Sequence, residues 1–181
     1  MEVHEFWDII ESARSSTDQP FDEALTDILA ARTWPDIVEF YEQFSELRSA
    51  LYRRDVWAAA YLVGGGCSDD SFIDFRAGLI AQGRDWYEKA AASPDRLAGH
   101  PAPETLFYES VNYAAPRAYE RLGGSLEGFY SLLRRHSRDH DATMGEDFDF
   151  DDPGEMRRRL PRLAARCLPD DVPPARRLLA P

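Results

Sequence analysis

After Thr33 and Pro35, apolar side chains recur at Ile37, Phe40, Phe44, Leu47 and Leu51, with Tyr41 beside them. Steps of three and four put all of these on one stripe of an α-helix, and no strand presents that spacing to a single face. Thr33 is a natural N-cap, and Pro35 suits a first turn, where its missing N–H would find no intrahelical partner anyway. The same spacing returns along the chain. Val3, Phe6, Ile10 and Ala13, with Trp7 alongside, make a first stripe that the TDQP stretch ends. Phe21, Leu25, Ile28 and Leu29 make a second, with Asp18 expected as its cap and Pro20 in its first turn. Alternating patterns flanked by hairpin turns are absent. The prediction is an all-α fold, a single multi-helix bundle.

Further on, the segment DVWAAAYLV sets Ala58, Ala59 and Ala60 between Trp57 and Tyr61, small residues that admit a close neighbour and place this helix near the centre. A stripe through Phe72, Phe75, Arg76, Leu79 and Ile80 follows, then a helix with Trp86 and Ala90. Residues 94–103 hold Pro94, Pro101 and Pro103 and predict a loop or short turn. Pro116 kinks or splits a helix running from Leu106 to Leu122, and Ser125 caps a segment with Phe129, Tyr130, Leu132 and Leu133. The domain so outlined spans residues 1–136. Residues 137–153 are polar and acidic, a mobile loop or an arm laid over the bundle. An amphipathic helix over 154–168, interrupted at Pro161, and a tail over 169–181 complete the chain. The expected core includes Phe6, Ile10, Phe40, Phe44, Leu47, Trp57, Tyr61, Phe72, Phe75, Leu79 and Ile80.

A chain of 181 residues that is 44% hydrophobic buries one sizeable core without requiring a second domain. Its formal net charge is −12, and because residues 134–181 hold ten acidic and ten basic side chains, all of that excess lies in residues 1–133. Nucleic acid is an unfavourable partner for such a surface, as is an anionic membrane face, since affinity for phosphates rests on neutralising them. Cys67 and Cys167 have neither zinc-finger nor disulfide-framework spacing, which predicts reduced thiols. The acidic N-terminus lacks an uninterrupted apolar run, so neither a signal peptide nor a membrane span is expected, and the reading is a cytoplasmic protein.

The stretch GGGCSDDSFIDFR, Gly64 through Arg76, admits two accounts. In the structural one, glycine supplies the left-handed conformation that ends one helix, Ser68 caps the next, and Asp69 and Asp70 sit at the positive end of its dipole. In the functional one, Gly65, Gly66, Cys67, Ser68, Asp69 and Asp70 bring exposed amides, a thiol and two acids to one helix N-terminus, a place for a small ligand. No phosphate-loop pattern is present. Arg76 stands on the apolar stripe, where an unpaired guanidinium is costly, so it either pairs with a carboxylate, Asp69 or Asp55, or reaches out to solvent.

This run, DVWAAAYLVGGGCSDDSFIDFRAGLIAQGRDWYE, together with EFWDIIESAR near the N-terminus, resembles the bacterial domain of unknown function 4240 family, common in actinobacteria. The resemblance implies that Phe6, Trp7, Trp57, Ala59, Ala60, Tyr61, Gly65, Gly66, Cys67, Ser68, Asp69, Asp70, Phe72, Phe75, Arg76, Leu79, Ile80 and Gly83 match its signature positions. It covers most of residues 3–123 and extends to the LPRL segment. Gly78 departs from the pattern, which has a large aromatic there; its small size either leaves room beside Arg76 or loosens the helix. The family brings no reaction, substrate or cofactor with it.

Other constellations are weaker. His136 and His140 lie one helical turn apart beside Asp139 and Asp141, without a third metal ligand in the sequence, and equally suit a solvated helix end. EDFDFDD resembles the start of a calcium loop, but counted from Asp147 the sixth position is Asp152 and the twelfth Arg158. An acidic arm anchored by Phe148 and Phe150 and paired with Arg157, Arg158 or Arg159 fits better. Cys67 has no histidine placed beside it by the sequence. No metal site and no cofactor are indicated. Two classes of function stay open. One is a helical binding or regulatory module that engages a protein partner or small ligand near the GGGCSDD loop. The other is a small enzyme, such as a metal-assisted hydrolase, using the acids of Gly64–Asp70 with Arg76.

Overall fold

Thr33 starts the helix that organises the bundle. Its side chain accepts from the Asp36 N–H while the Asp36 carboxylate accepts from the Thr33 N–H at 3.1 Å, a capping box that holds the first turn of α3 (Trp34–Ala50) with Pro35 inside it. The structure, a computed structural model, describes residues 1–133 and 144–169, and among these it is all-α, without strands. Around α3 lie α1 (Val3–Arg14), α2 (Phe21–Ala30), α4 (Arg54–Gly64), α5 (Asp69–Ala81), α6 (Arg84–Ala92), α7 (Ala114–Arg121) and α8 (Leu126–Leu132). Short 3-10 turns, Pro94–Gly99, Pro103–Leu106 and Glu109–Tyr113, bridge α6 to α7, and α9 (Pro153–Arg159) and α10 (Pro161–Cys167) follow. Among the described residues no helix is long and apolar enough to cross a membrane.

The centre of the bundle is α5. Every residue from Phe75 to Ala81 is buried, so this helix is enclosed all round, by α1, α3, α4, α6 and the turns of 103–113. The alanines of α4 are fully buried as expected, but Trp57 and Tyr61 on its other face are only half-buried, as is Leu47. The remaining expected core residues are buried. On α1 the inward face is Phe6, Trp7, Ile9, Ile10 and Ala13, while Val3 is exposed at the first turn. Asp18 caps nothing: α2 begins after Pro20, whose fixed φ suits the N-cap. Pro116 splits the 106–122 segment into turns and a helix, and sits in the first turn of α7.

Gly78 neither leaves room beside Arg76 nor loosens its helix. A Cβ there would fall well inside contact distance of the Leu106 carbonyl. The backbone of the 103–106 turn crosses α5 at the one residue without a side chain. The same crossing lets the Tyr108 N–H donate to the Asp74 carbonyl at 3.2 Å.

Candidate functional site

At the junction between α4 and α5 each glycine has a structural reason. Gly65 takes φ 64° and Gly66 φ 133°, where other residues are strained, and their N–H groups return to the Tyr61 carbonyl, Gly66 at 2.9 Å. Gly64 faces Phe107, whose ring would lie 2.9 Å from an added Cβ. Ser68 accepts from the Ser71 N–H at 3.3 Å and caps α5, and the Cys67 carbonyl accepts from the Trp57 indole at 3.0 Å. Burial pushes the Cys67 thiol up to about 11, so it is protonated at neutral pH.

Arg76 does not join this cluster. It is 1% exposed, which excludes the solvent-reaching alternative. Asp69 is exposed two turns away, about 10 Å along the helix axis, and Asp55 is held by Arg53 at 2.6 Å, so neither expected carboxylate meets it. Its guanidinium instead lies over the rings of Tyr52 and Phe72, at 4.9 and 4.7 Å, and donates to the carbonyls of Phe72 at 3.3 Å and Arg48 at 3.2 Å. The Arg48 carbonyl belongs to the last turn of α3, where the dipole is negative, and it also accepts from the Leu51 N–H at 3.2 Å. Arg76 thus ties the centre of α5 to the end of α3.

Beyond that tie opens a groove of about 470 Å³ lined by Tyr41 and Arg48 of α3, Asp70, Ile73 and Asp74 of α5, Glu109, Asn112 and Tyr113 of the 109–113 turn, and Tyr130 of α8. Asn112 is its hub. Its side-chain oxygen accepts from Arg48 at 2.8 Å, and its amide donates to Asp74 at 3.1 Å and to the Glu109 carbonyl at 3.1 Å. Among the described residues no cation stands within ion-pair distance of Asp70, Asp74 or Glu109. Burial, then Glu109 and Asp70, raise the Asp74 carboxyl above its ordinary value against the opposing pull of Arg48. The Arg48 Nε is buried without a partner. Ile73, Tyr113 and Tyr130 are exposed at the rim, 36, 45 and 48%.

Of the junction residues only Asp70 reaches this groove. The others in it escaped the sequence reading because they come from four separate elements. Two signals point to it. Asp70 and Asp74 are four residues apart on one helix face, a like-charge spacing that costs helix stability. The seven-residue helix α8 carries more apolar side chains than one stripe holds, and Phe129 alone is buried.

The family model described as "Protein of unknown function (DUF4240)" matches residues 1–121. The chain belongs to this family. Neither a curated protein nor a solved structure matches it. The DUF4240 region runs from α1 to the end of α7, so it supplies the groove except for Tyr130.

Residues 144–152, outside the DUF4240 region, lie as an arm along α4. The Arg54 N–H donates to the Met144 carbonyl at 2.8 Å, the Arg54 guanidinium pairs with Asp147 and covers the Phe150 ring at 4.3 Å, and Tyr61 donates to Asp151. Arg159 covers the Phe148 ring at 4.1 Å and pairs with Glu146 at 2.9 Å, so the two aromatic anchors and an arginine partner fall where the sequence placed them. Asp152 caps α9 through the Gly154 N–H at 2.8 Å, which explains its place at the calcium loop's glycine position. His136, His140, Asp139 and Asp141 lie outside the described residues. Among the described residues no three His, Cys, Asp or Glu side chains come together as a metal-holding set.

Proposed function

We propose that this protein is a binding module that takes a partner into the groove between α3, α5, the 109–113 turn and α8, beside the GGGCSDD junction, with Asp70 common to both. The observation that carries the reading is a concavity faced by three carboxylates that, among the described residues, no cation pairs with. Acids that bridge α1, α2 and α7 are paired, Asp22 with Arg117 at 3.3 Å, Glu23 with Arg121 at 3.1 Å and Glu5 with Arg32 at 2.8 Å, whereas these three gather around one hollow without such a partner among the described residues. Asp74 is half-buried between the exposed Asp70 and Glu109, and like charge gathered around a half-buried carboxylate works against the fold and is kept where binding needs it. The exposed rings of Tyr113 and Tyr130 offer the amphipathic contact area that recognition surfaces favour.

The enzyme reading has less support. Arg76, its electrostatic element, is enclosed, and the Cys67 thiol is held in its protonated form.

The test is a fragment and peptide screen on isotope-labelled full chain, read by the Asn112 side-chain amide and the backbone amides of Ile73 and Tyr113. Hits that shift these signals are expected. Hits that shift only Gly65, Gly66 and Cys67 would move the site to the junction.

A further inference from the structure

The groove's chemistry narrows what enters it, on the footing that it is a binding site as proposed above. Asp70, Asp74 and Glu109 set three negative charges against one guanidinium, that of Arg48, whose NH1 is already given to Asn112 at 2.8 Å. A cation entering here meets carboxylates held only by neutral donors, Asp74 by the Asn112 amide at 3.1 Å and Glu109 by the Tyr113 hydroxyl at 3.4 Å, whereas an anion meets an excess of two negative charges. The wall opposite is aromatic. Tyr41 and Tyr130 stand with ring centroids 6.4 Å apart at 78°, and Tyr113 flanks the third side, already touched by Arg117 at 6.0 Å. Arg117 is itself engaged by Asp22, and the Tyr41 and Tyr130 rings, packed edge-on against Phe129 at 5.2 and 5.4 Å, line the remaining wall of the groove.

A planar guanidinium matches both features, since it donates in a fork to carboxylates and lies flat on aromatic faces. The chain makes the same arrangement internally with Arg54, over Phe150 and paired with Asp147, and with Arg159, over Phe148 and paired with Glu146 and Glu155. The size of the partner follows from the rim. Leu126 is 44% exposed one helical turn before Tyr130 on the same face of α8, and Ile73 is 36% exposed at the groove's rim, so exposed apolar side chains stand on both α8 and α5, more than one side chain covers.

We infer that the groove receives an arginine side chain presented by a segment of a partner protein, its guanidinium held by Asp74, Asp70 and Glu109 against Tyr41 and Tyr130 and its flanking residues lying on Ile73 and Leu126.

The experiment uses four heptapeptide pools, random except for a central residue fixed as arginine, lysine, glutamate or leucine, and free agmatine, each titrated into labelled full chain. The arginine pool is expected to bind most tightly, to shift the Asn112 side-chain amide, to weaken with added salt, and to lose about tenfold in affinity, equivalent to about 1.4 kcal/mol, with Asp74→Asn or Glu109→Gln. Leucine-pool binding at the same signals that equals the arginine pool and ignores Asp74→Asn overturns the charge recognition while leaving the groove as a site. Agmatine binding as tightly as the peptides overturns the protein segment in favour of a small amine. Tightest binding by the glutamate pool reverses the inference. Shifts confined to other surfaces, or none from any pool, overturn the groove and the inference together.

Discussion

The Asn112 side-chain amide reaches the Asp74 carboxylate at 3.1 Å while its oxygen takes the Arg48 guanidinium at 2.8 Å, so a neutral side chain stands between two opposite charges that never pair directly. The arrangement holds Asp74 in place without neutralising it. Its folded pKa is raised, chiefly by burial and then by Glu109 and Asp70, from an ordinary 3.8. A carboxyl raised in the folded state favours folding at pH values below its unfolded pKa, and that contribution is lost as pH rises through the folded pKa. A carboxyl titration followed by NMR should therefore place the Asp74 midpoint above 3.8. Asn112→Ala, which removes a donor to the charged form, should move it higher still. A midpoint at or below the ordinary value would show that Asp74 is solvated or paired.

Arg76 should prove structural. Arg76→Ala leaves a void between Tyr52 and Phe72 and deprives the last turn of α3 of a donor, and should cost about 3–5 kcal/mol, as large buried truncations do. Arg76→Lys should restore little, because a point charge neither stacks on two rings nor spans two carbonyls. Urea denaturation decides it, and a loss below about 1 kcal/mol for the alanine variant would contradict the role.

Two glycines separate helix propensity from packing. Propensity alone has Gly78→Ala stabilise α5 by about 1 kcal/mol. The Leu106 carbonyl against Gly78 predicts the opposite, a loss at the upper end of the overpacking range of about 1–3 kcal/mol. Gly65→Ala meets no neighbour within 4 Å, yet should cost about 1–2 kcal/mol through its left-handed φ alone. Thermal melts that find Gly78→Ala stabilised would show that the 103–106 turn moves aside.

How far the sequence carries depends on whether a feature is local. The caps at Thr33, Ser68 and Ser125 and the left-handed Gly65 need only neighbouring residues, and each is where the sequence puts it. The stripes of α3 and α5 predict burial because one face of a helix has to be covered. The arm was legible through its two phenylalanines, whose burial needs a surface and whose neighbouring acids need arginines. What stayed hidden depends on elements distant in sequence: the crossing at Gly78, the aromatic seat of Arg76, and a groove whose walls run from Tyr41 to Tyr130. Arg76 shows the limit clearly, since its place on the stripe announced a compensated charge, and the compensation includes a helix end that spacing along α5 does not reveal.

His100 gives a pH dependence of the fold that is independent of the groove. It is 3% exposed, its Nδ1 accepts from the Ala102 N–H at 3.2 Å, and burial lowers its pKa from 6.5. A histidine depressed in the folded state binds protons more weakly than the unfolded chain does, so stability present above the unfolded pKa is lost as pH falls below it. Stability should decline below about pH 6.5, and the His100→Gln variant should lack that part of the slope while being less stable throughout. A wild-type curve flat from pH 7.5 to 5 would contradict the neutral, acceptor role of the ring.

The central claim, that the groove is kept for binding at the expense of the fold, meets its most direct test in one variant measured in two ways. Asp74→Asn keeps an oxygen for the Asn112 amide while removing a charge that burial and two neighbouring acids oppose. Melting curves and arginine-pool titrations of wild type and Asp74→Asn at pH 7 should show an equal or higher melting temperature together with about tenfold weaker binding. A lower melting temperature with binding unchanged would make Asp74 a structural carboxylate and the groove an incidental hollow.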